Sequence, residues 1–510
     1  MPSSTYYRNE KSKYVDADII IVGAGISGIN SAHHIHKDFP ELNYTILDRR
    51  DNLGGTWDLF QYPGIRSDSD LHTFGFKWRP WPEARAIVDG PSIVKYLHDC
   101  AGSEGIDRHI RYGHKVLHAD WSSTDSLWTL TVDERGQQKK MRCHFVVMGT
   151  GYYNYDKPLE AVIPGIENFS GPKIHPQFWP KDLDYTDKNI VVIGSGATAI
   201  TLLPALVKES AQSGAAAHVT MLQRSPSYIL PQKTTHPDEK LIHAIFPRPF
   251  ALAIVRWKYI LISVLFFNFC HVFPNAARKL LNAATKKNLP PGTKMDPDWL
   301  PRYTPWQQRL CVSPDADFYD AIKDGRTSVM TGVIDNITEK SIHLADGRVL
   351  NPDIIITATG LKLCMMGQAT LTVDGKSLEM NKHFIWKGMA IDGVPNAAFT
   401  MGYVNASWTL GAEAMGITLV KLLKKMKEKR ADVVLPYIQG DKRSLMKAAK
   451  PPFNLTSTYL QAAVHALPMS AGVGPWKGRS SVFSDMWDAK FGNVTDDMVY
   501  SKGEDWLNAH

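Results

Sequence analysis

The sequence predicts an α/β fold built from two parallel-sheet units, with a helical insertion in the second. Three observations carry this reading. Two unbroken apolar runs, Ile19–Val22 and Ile190–Ile193, have the pattern of strands buried on both faces. Each runs at once into a glycine-rich turn followed by helix-like periodicity. At 510 residues, the chain is also longer than a single hydrophobic core usually supports.

Composition narrows the function classes. With 44% hydrophobic and 21% charged residues, the chain has the balance of an ordinary globular protein, which argues against wholesale disorder or a membrane bundle. The net charge of +7 is spread thinly, apart from the run Lys424–Arg430. That run reads as a solvated helix face, so nucleic acid is not an expected partner. Five cysteines, Cys100, Cys143, Cys270, Cys311 and Cys364, form no C-x-x-C pair and no zinc spacing. Reduced thiols in a cytoplasmic compartment follow, with no metal site. The first sixteen residues are polar and read as a loose lead-in without a secretory signal.

In chain order, the strand Ile19–Val22 leads into Gly23, Ala24, Gly25, Ile26, Ser27 and Gly28. In this G-x-G-x-x-G spacing, Gly23 permits the tight turn, Gly25 lets backbone approach a pyrophosphate, and Gly28 lets the helix pack against the strand. The free N–H groups at the helix start then face that pyrophosphate. A strand at Tyr44–Leu47 ends in Asp48, twenty residues beyond Gly28, where a carboxylate accepts ribose hydroxyls. Strand, turn, helix, strand and acid together define a Rossmann-like dinucleotide site. The following loop, from Gly54, Gly55, Thr56 and Trp57 to Tyr62, Pro63, Gly64, Ile65, Arg66, Ser67 and Asp68, is too rich in aromatic and charged residues for a plain connector. Val116 begins a further strand, and the apolar run Phe145–Met148 returns the chain to the crevice at Gly149, Thr150 and Gly151.

Next comes FSGPKIHPQFWP, Phe169–Pro180, whose three prolines disfavour helix interior and central strand alike. It reads as a stiff crossing. The dinucleotide pattern then recurs at Gly194, Ser195, Gly196, Ala197, Thr198 and Ala199. Here the next strand ends in Gln223, Arg224 and Ser225 instead of an acid, a chemistry suited to a 2′-phosphate. The second nucleotide is therefore NADPH, leaving FAD for the first site. Residues 241–285 read as apolar helix, with a buried or substrate-lining role favoured over interfacial membrane contact because the apolar run is too short to span a bilayer. The strand Ile354–Ile356 sends the chain back to the first unit. Near the end, Asn405 and Trp408 read as loop before a helix from about Ala412 to Lys427, and the tail reads as a surface wrap.

Two long patterns now carry a family resemblance. Phe169, Gly171, His175, Trp179 and Pro180 match F-x-G-x-x-x-H-x-x-x-W-P between the two dinucleotide turns. Gly54, Gly55, Trp57, Tyr62, Pro63, Gly64 and Asp68 match a second fingerprint. The chain thus resembles the type I Baeyer–Villiger monooxygenases, from about Asp16 to the tail. The phrases GGTWDLF, YPGIRSDSD, GYYNYD and GYVNASWTL are most similar to the ethionamide-activating branch.

That resemblance implies NADPH reduction of FAD, reaction with O₂ to a C4a-peroxyflavin, and oxygen insertion into a ketone to give an ester or lactone, with thioether sulfoxidation as a side activity. It implies Arg309 as the active-site cation and Asp68 as its acidic partner. FAD would meet Gly55, Thr56, Trp57, Asp58, Leu59, Arg66, Ser67 and Asp68, with Val116. The family's usual lysine before the arginine is Gln308 here, which shifts 2′-phosphate recognition towards Arg224 and Ser225. His175 and Trp179 are implied to couple domain motion without touching substrate.

The resulting layout is residues 1–152 as the first part of the FAD unit, 153–188 as linker, and 189–355 as the NADPH unit with its insertion at about 232–318. Residues 356–435 form the second part of the FAD unit and 436–510 the C-terminal wrap. The alternative functions are an N- and S-oxygenating flavin monooxygenase and, remotely, a non-catalytic flavin redox sensor. Flavin disulfide reductase chemistry lacks the cysteine pair it needs.

Overall fold

A computed structural model of the chain describes residues 14–210, 212–438, 444, 449–451 and 466–503. Most of the polar lead-in and Pro452 lie outside the described residues.

The first sheet is centred on the strand Ala17–Val22, every residue of which is buried. It pairs in parallel with Tyr44–Leu47 on one side and with the end of Gln137–Met148 on the other. That twelve-residue strand changes character along its length. Its first half is exposed or alternating and pairs antiparallel with Leu127–Glu134, while its last four residues, Phe145–Met148, are fully buried beside Ala17–Val22. The residue pattern dictates the switch: polar alternation suits a sheet with one wet face, and a continuous apolar run suits a sheet covered on both. His114–Ser122 extends the antiparallel edge, Thr370–Val373 pairs with it in parallel, and Ala397–Phe399 adds a parallel partner to Gln137–Met148.

The second sheet is parallel throughout, in the order Thr327–Thr331, His218–Gln223, Asn189–Ile193, Ile354–Thr357, Lys173–Ile174. Its last member corrects the reading of the connector. Lys173–Ile174 is an edge strand hydrogen-bonded to Ile354–Thr357, followed by a 3₁₀ turn at Pro176–Phe178. Prolines on both flanks are compatible with so short an edge strand, because no ladder N–H is needed from them. The segment 153–188 is therefore partly built into the second sheet.

Close backbone approach positions both glycine turns. A Cβ on Gly28 would lie 1.8 Å from the Gly23 carbonyl oxygen, and one on Gly194, at φ +139°, would lie 2.2 Å from that of Ala358. The helix Ile26–Asp38 packs against Trp408–Lys429, with the Asn30 amide donating to the Ala412 carbonyl at 3.0 Å. The latter helix starts at Trp408, earlier than the sequence suggests, so Trp408 is its first turn and not loop.

The insertion contains three helices, Pro237–Ile245, Arg248–Val272 and Pro274–Asn288, the prolines sitting at first-turn positions where their missing N–H costs nothing. The tail is more than a surface wrap. Val482–Phe491 is helical, Met498–Ser501 pairs antiparallel with Val433–Pro436, and buried Trp476 donates to Asp497 at 2.7 Å.

Gly28→Ala is expected to lower stability by about 1–3 kcal/mol, the cost of forcing atoms into a packed contact. Gly102→Ala, at a helical position with no atom within 4 Å, is expected to leave stability unchanged or raise it slightly. Urea denaturation of the two variants distinguishes a packing glycine from a passive one.

Candidate functional site

Both glycine turns open onto one cavity of about 1150 Å³. That exceeds the roughly 300–1,000 Å³ of a site for one drug-sized ligand. Gly23, Gly25 and Ser27 line it from the first sheet, and Gly194, Ser195, Gly196, Ala197 and Thr198 from the second. The helices Ile26–Asp38 and Ala197–Leu206 have Gly25 and Gly196 at their N-caps, and neither cap supplies a side-chain hydrogen bond. Two helix N-termini without side-chain caps thus border one space, each suited to a phosphate. Gly28 and Ala199 sit behind the turns as packing positions and do not line the cavity.

Asp48 reaches the cavity from the end of Tyr44–Leu47. Its carboxylate accepts from the Ala24 N–H at 2.6 Å and the Arg50 N–H at 2.8 Å, and burial raises its pKa. The acid thereby ties the glycine turn to the neighbouring strand end while bordering the ligand space. Val116 is buried and lines the same end.

The loop after Gly54 divides by direction. Gly55, Thr56 and Trp57 line the cavity; the Thr56 hydroxyl lies 3.4 Å from that of Tyr155, and Trp57 meets Phe74 edge-on. Asp58 and Leu59 do not line it. The Asp58 carboxylate accepts from Arg50 Nε at 2.9 Å, and Leu59 packs against the core of the second unit. Both residues thus support the loop from behind the cavity-lining positions. Arg66 and Ser67 do border the cavity, but the Arg66 guanidinium is paired with Asp317 and the Ser67 hydroxyl donates to the Ser69 carbonyl at 2.6 Å. Arg66 therefore bridges the loop to the helix Asp317–Lys323.

Asp68 and Arg309, 241 positions apart in the chain, come together on the cavity wall with Asp68 Oδ1 3.9 Å from Arg309 Nη2. The separation is that of an ion pair without a tight hydrogen bond. Gln308 lines the wall beside Arg309. In the second unit, Arg224 is exposed at the rim and makes no ion pair or hydrogen bond among the described residues, whereas Gln223 is buried and donates to the Asp298 carbonyl at 2.8 Å. Ser225 is joined to the turn through its carbonyl, which accepts from the Ser195 hydroxyl at 3.0 Å.

In the connector, His175 Nδ1 accepts from the Gln177 N–H at 3.2 Å, and its Nε2 lies 3.3 Å from the Gly360 carbonyl, which it reaches as a donor. Burial lowers the His175 pKa, so the neutral ring suits both contacts. Gln177 is buried on the cavity wall; its amide nitrogen donates to the Asn154 carbonyl at 2.7 Å and its Oε1 has no hydrogen-bond partner among the described residues. Phe169, Gly171 and Trp179 do not line the cavity; Phe169 packs under the second sheet and Trp179 against Tyr185. The connector thus touches both the return strand's exit at Gly360 and the first unit's exit at Asn154.

Aromatic walls were missed as site residues. Tyr152 and Trp408 stack with centroids 4.7 Å apart, Trp408 donates to the Ser27 hydroxyl at 2.9 Å, and Tyr155 and Tyr403 also line the cavity. The signal lay in GYYNYD and GYVNASWT, aromatic clusters directly after buried strands.

The loop carrying Asp68 is held by Asp70, which caps the turn Leu71–Phe74 by accepting from the Thr73 N–H at 2.8 Å. Burial pushes the Asp70 carboxyl up to about 6. A folded-state pKa above the unfolded one means that Asp70 costs stability as pH rises from about 4 to 6, and by a constant amount above that. The span of about two units corresponds to about 3 kcal/mol. Across pH 4 to 7, wild type is expected to lose up to that much stability relative to Asp70→Asn; identical pH slopes in denaturation would contradict it.

Comparison with known proteins gives concordant relatives. The family profile described as flavin-binding monooxygenase-like matches residues 16–248. The FAD-containing monooxygenase EthA of Mycolicibacterium smegmatis is 43% identical over 483 residues, covering 95% of this chain and 96% of the relative. Among solved structures, OTEMO in complex with FAD and NADP aligns with TM-score 0.72 at 16% identity, over 96% of this chain and 100% of that one. A cyclohexanone monooxygenase bound to epsilon-caprolactone aligns with TM-score 0.72 at 17% identity, over 95% and 99%.

Proposed function

The chain belongs to the flavin-binding monooxygenase-like family, and from that premise we propose that it uses FAD, NADPH and O₂ to insert one oxygen atom into ketones, giving esters or lactones, and that it also oxygenates thioethers. The observation that carries the proposal is the Arg309–Asp68 pair on the wall of a cavity bordered by two dinucleotide turns. The proposed setting is the cytoplasm, in keeping with five free cysteines.

The residues present fit both cofactors. The helix start after Gly25 is placed to hold the FAD pyrophosphate, and Asp48, fixed by two backbone N–H groups, to accept ribose hydroxyls. The helix start after Gly196 offers the same to NADPH, with Arg224 and Ser225 at the rim for its 2′-phosphate. Gln308 adds no charge there, so Arg224 carries the discrimination between NADPH and NADH. When bound, the flavin and nicotinamide supply the reducing equivalents and the activation of O₂.

The protein's own contribution is electrostatic and positional. Arg309 places a permanent cation where negative charge develops during oxygen transfer, an effect worth about 3 to 4 kcal/mol for one well-placed donor. Asp68 orients that guanidinium from 3.9 Å without neutralising it through a bidentate bond. The aromatic residues Tyr152, Tyr403 and Trp408 line the same cavity and help to exclude water from it.

With flavin-loaded enzyme, NADPH consumption is expected to yield esters from linear or cyclic ketones; sulfoxide from a thioether with no ester from any ketone would favour the N- and S-oxygenating alternative. Arg309→Ala is expected to retain flavin reduction by NADPH under anaerobic stopped flow while ester formation falls at least about 100-fold. Ester formation at the wild-type rate would remove Arg309 from the mechanism. Arg224→Ala is expected to raise KM for NADPH about tenfold with little change for NADH, the loss of one charge-assisted contact; equal changes for both would contradict the 2′-phosphate assignment.

A further inference from the structure

The apolar run that reads as too short to span a bilayer is part of a 25-residue helix, Arg248–Val272, which by length and composition is long and apolar enough to cross a membrane, yet only 28% of its apolar window is buried in the protein. Its exposure is not random. Phe250, Trp257, Leu261, Leu265 and Val272 are between 50% and 66% exposed and recur at the four- and seven-residue spacing of a single helix face. The opposite face is fixed to the body: buried Arg256 donates to the carbonyls of His72 and Gly75 at 2.8 and 2.7 Å, and Ile260 packs with Tyr403, which lines the cavity. A helix docked in this way cannot leave the body to span a bilayer, but it leaves an apolar stripe uncovered. Trp257 stacks on exposed Phe483, which extends the stripe onto the helix Val482–Phe491.

Charge says what covers the stripe. Residues 240–295 contain nine lysines and arginines and not one aspartate or glutamate, whereas the whole chain is only +7, so the remainder is net negative by two. Lys240 and Arg248 precede the stripe and Lys279, Lys286 and Lys287 follow it, all exposed. An apolar stripe with bulky aromatics, flanked by unopposed cations, has the chemistry of a helix lying in the headgroup region of an anionic lipid surface.

We propose that the insertion docks this protein on anionic membranes through the outer face of Arg248–Val272, with the helix lying in the plane of the interface. Docking would set the cavity beside the lipid, because the inner face of the same helix packs on the cavity wall at Tyr403.

The test is co-sedimentation of the flavin-loaded full chain with vesicles of phosphatidylcholine alone and of phosphatidylcholine mixed with phosphatidylglycerol. Wild type is expected to bind the anionic vesicles at least about tenfold more tightly, with binding weakened by salt. Leu261→Asp combined with Leu265→Asp, both exposed and outside the catalytic machinery, is expected to weaken vesicle binding at least about tenfold while turnover of a water-soluble ketone and the circular dichroism spectrum stay unchanged. Lys286→Glu combined with Lys287→Glu is expected to reduce the preference for anionic vesicles. The proposal is overturned if wild type stays in the supernatant with both vesicles, or if either pair of substitutions leaves binding unaltered. It is equally overturned if sedimentation velocity shows that the stripe joins two copies of the chain, the leucine variant being monomeric where wild type is a dimer that ignores vesicles.

Discussion

Everything in the site depends on two helix N-termini, at Ile26 and Ala197, that end without side-chain caps on the same cavity. A helix start offers several N–H groups that need a partner and a partial positive charge, and two such starts facing one space favour two anionic ligands held close together. The close contacts behind Gly28 and Gly194 make each start possible, since a side chain at either position would collide with backbone. The fixed ion pair between Arg66 and Asp317 and the looser one between Asp68 and Arg309 then join the first unit's loop to the second unit. The two pairs hold the first unit's loop against the second unit at two points on the cavity wall.

The connector Phe169–Pro180 is part of this arrangement. Its strand, Lys173–Ile174, belongs to the second sheet, while Gln177 holds the Asn154 carbonyl where the first unit's chain leaves the cavity. His175 sits between, capping the turn and reaching Gly360 with a neutral ring. A single short segment thus touches both units and the return strand.

Much of this was legible in the sequence because it rests on local rules. The buried strands, both glycine turns and the position of Asp48 are dictated by apolar runs and by spacing. What escaped depends on partners far away in the chain. A two-residue edge strand such as Lys173–Ile174 has no periodicity to read and exists only because Ile354–Thr357 offers an open edge. The pairing of Asp58 with Arg50, eight residues earlier, is likewise invisible to motif spacing. The helix start at Trp408 has Ser407 at its N-cap, but that hydroxyl is engaged with Thr73, 334 positions away in the chain, and not with the helix. In the insertion, composition revealed a greasy helix but not which face was covered; that answer required the contacts of Arg256 and Ile260.

The chemistry proposed for this cavity is the transfer of one atom of O₂ to an organic substrate at the expense of NADPH, with Arg309 as the stabilising cation. The most direct measurement is a turnover of flavin-loaded enzyme with NADPH and a ketone under isotopically heavy O₂, followed by mass spectrometry of the product. The account predicts an ester carrying a single heavy oxygen, formed in a one-to-one ratio with NADPH oxidised. An unlabelled ester, or NADPH oxidation that yields only hydrogen peroxide across linear, cyclic and aryl ketones, would contradict it.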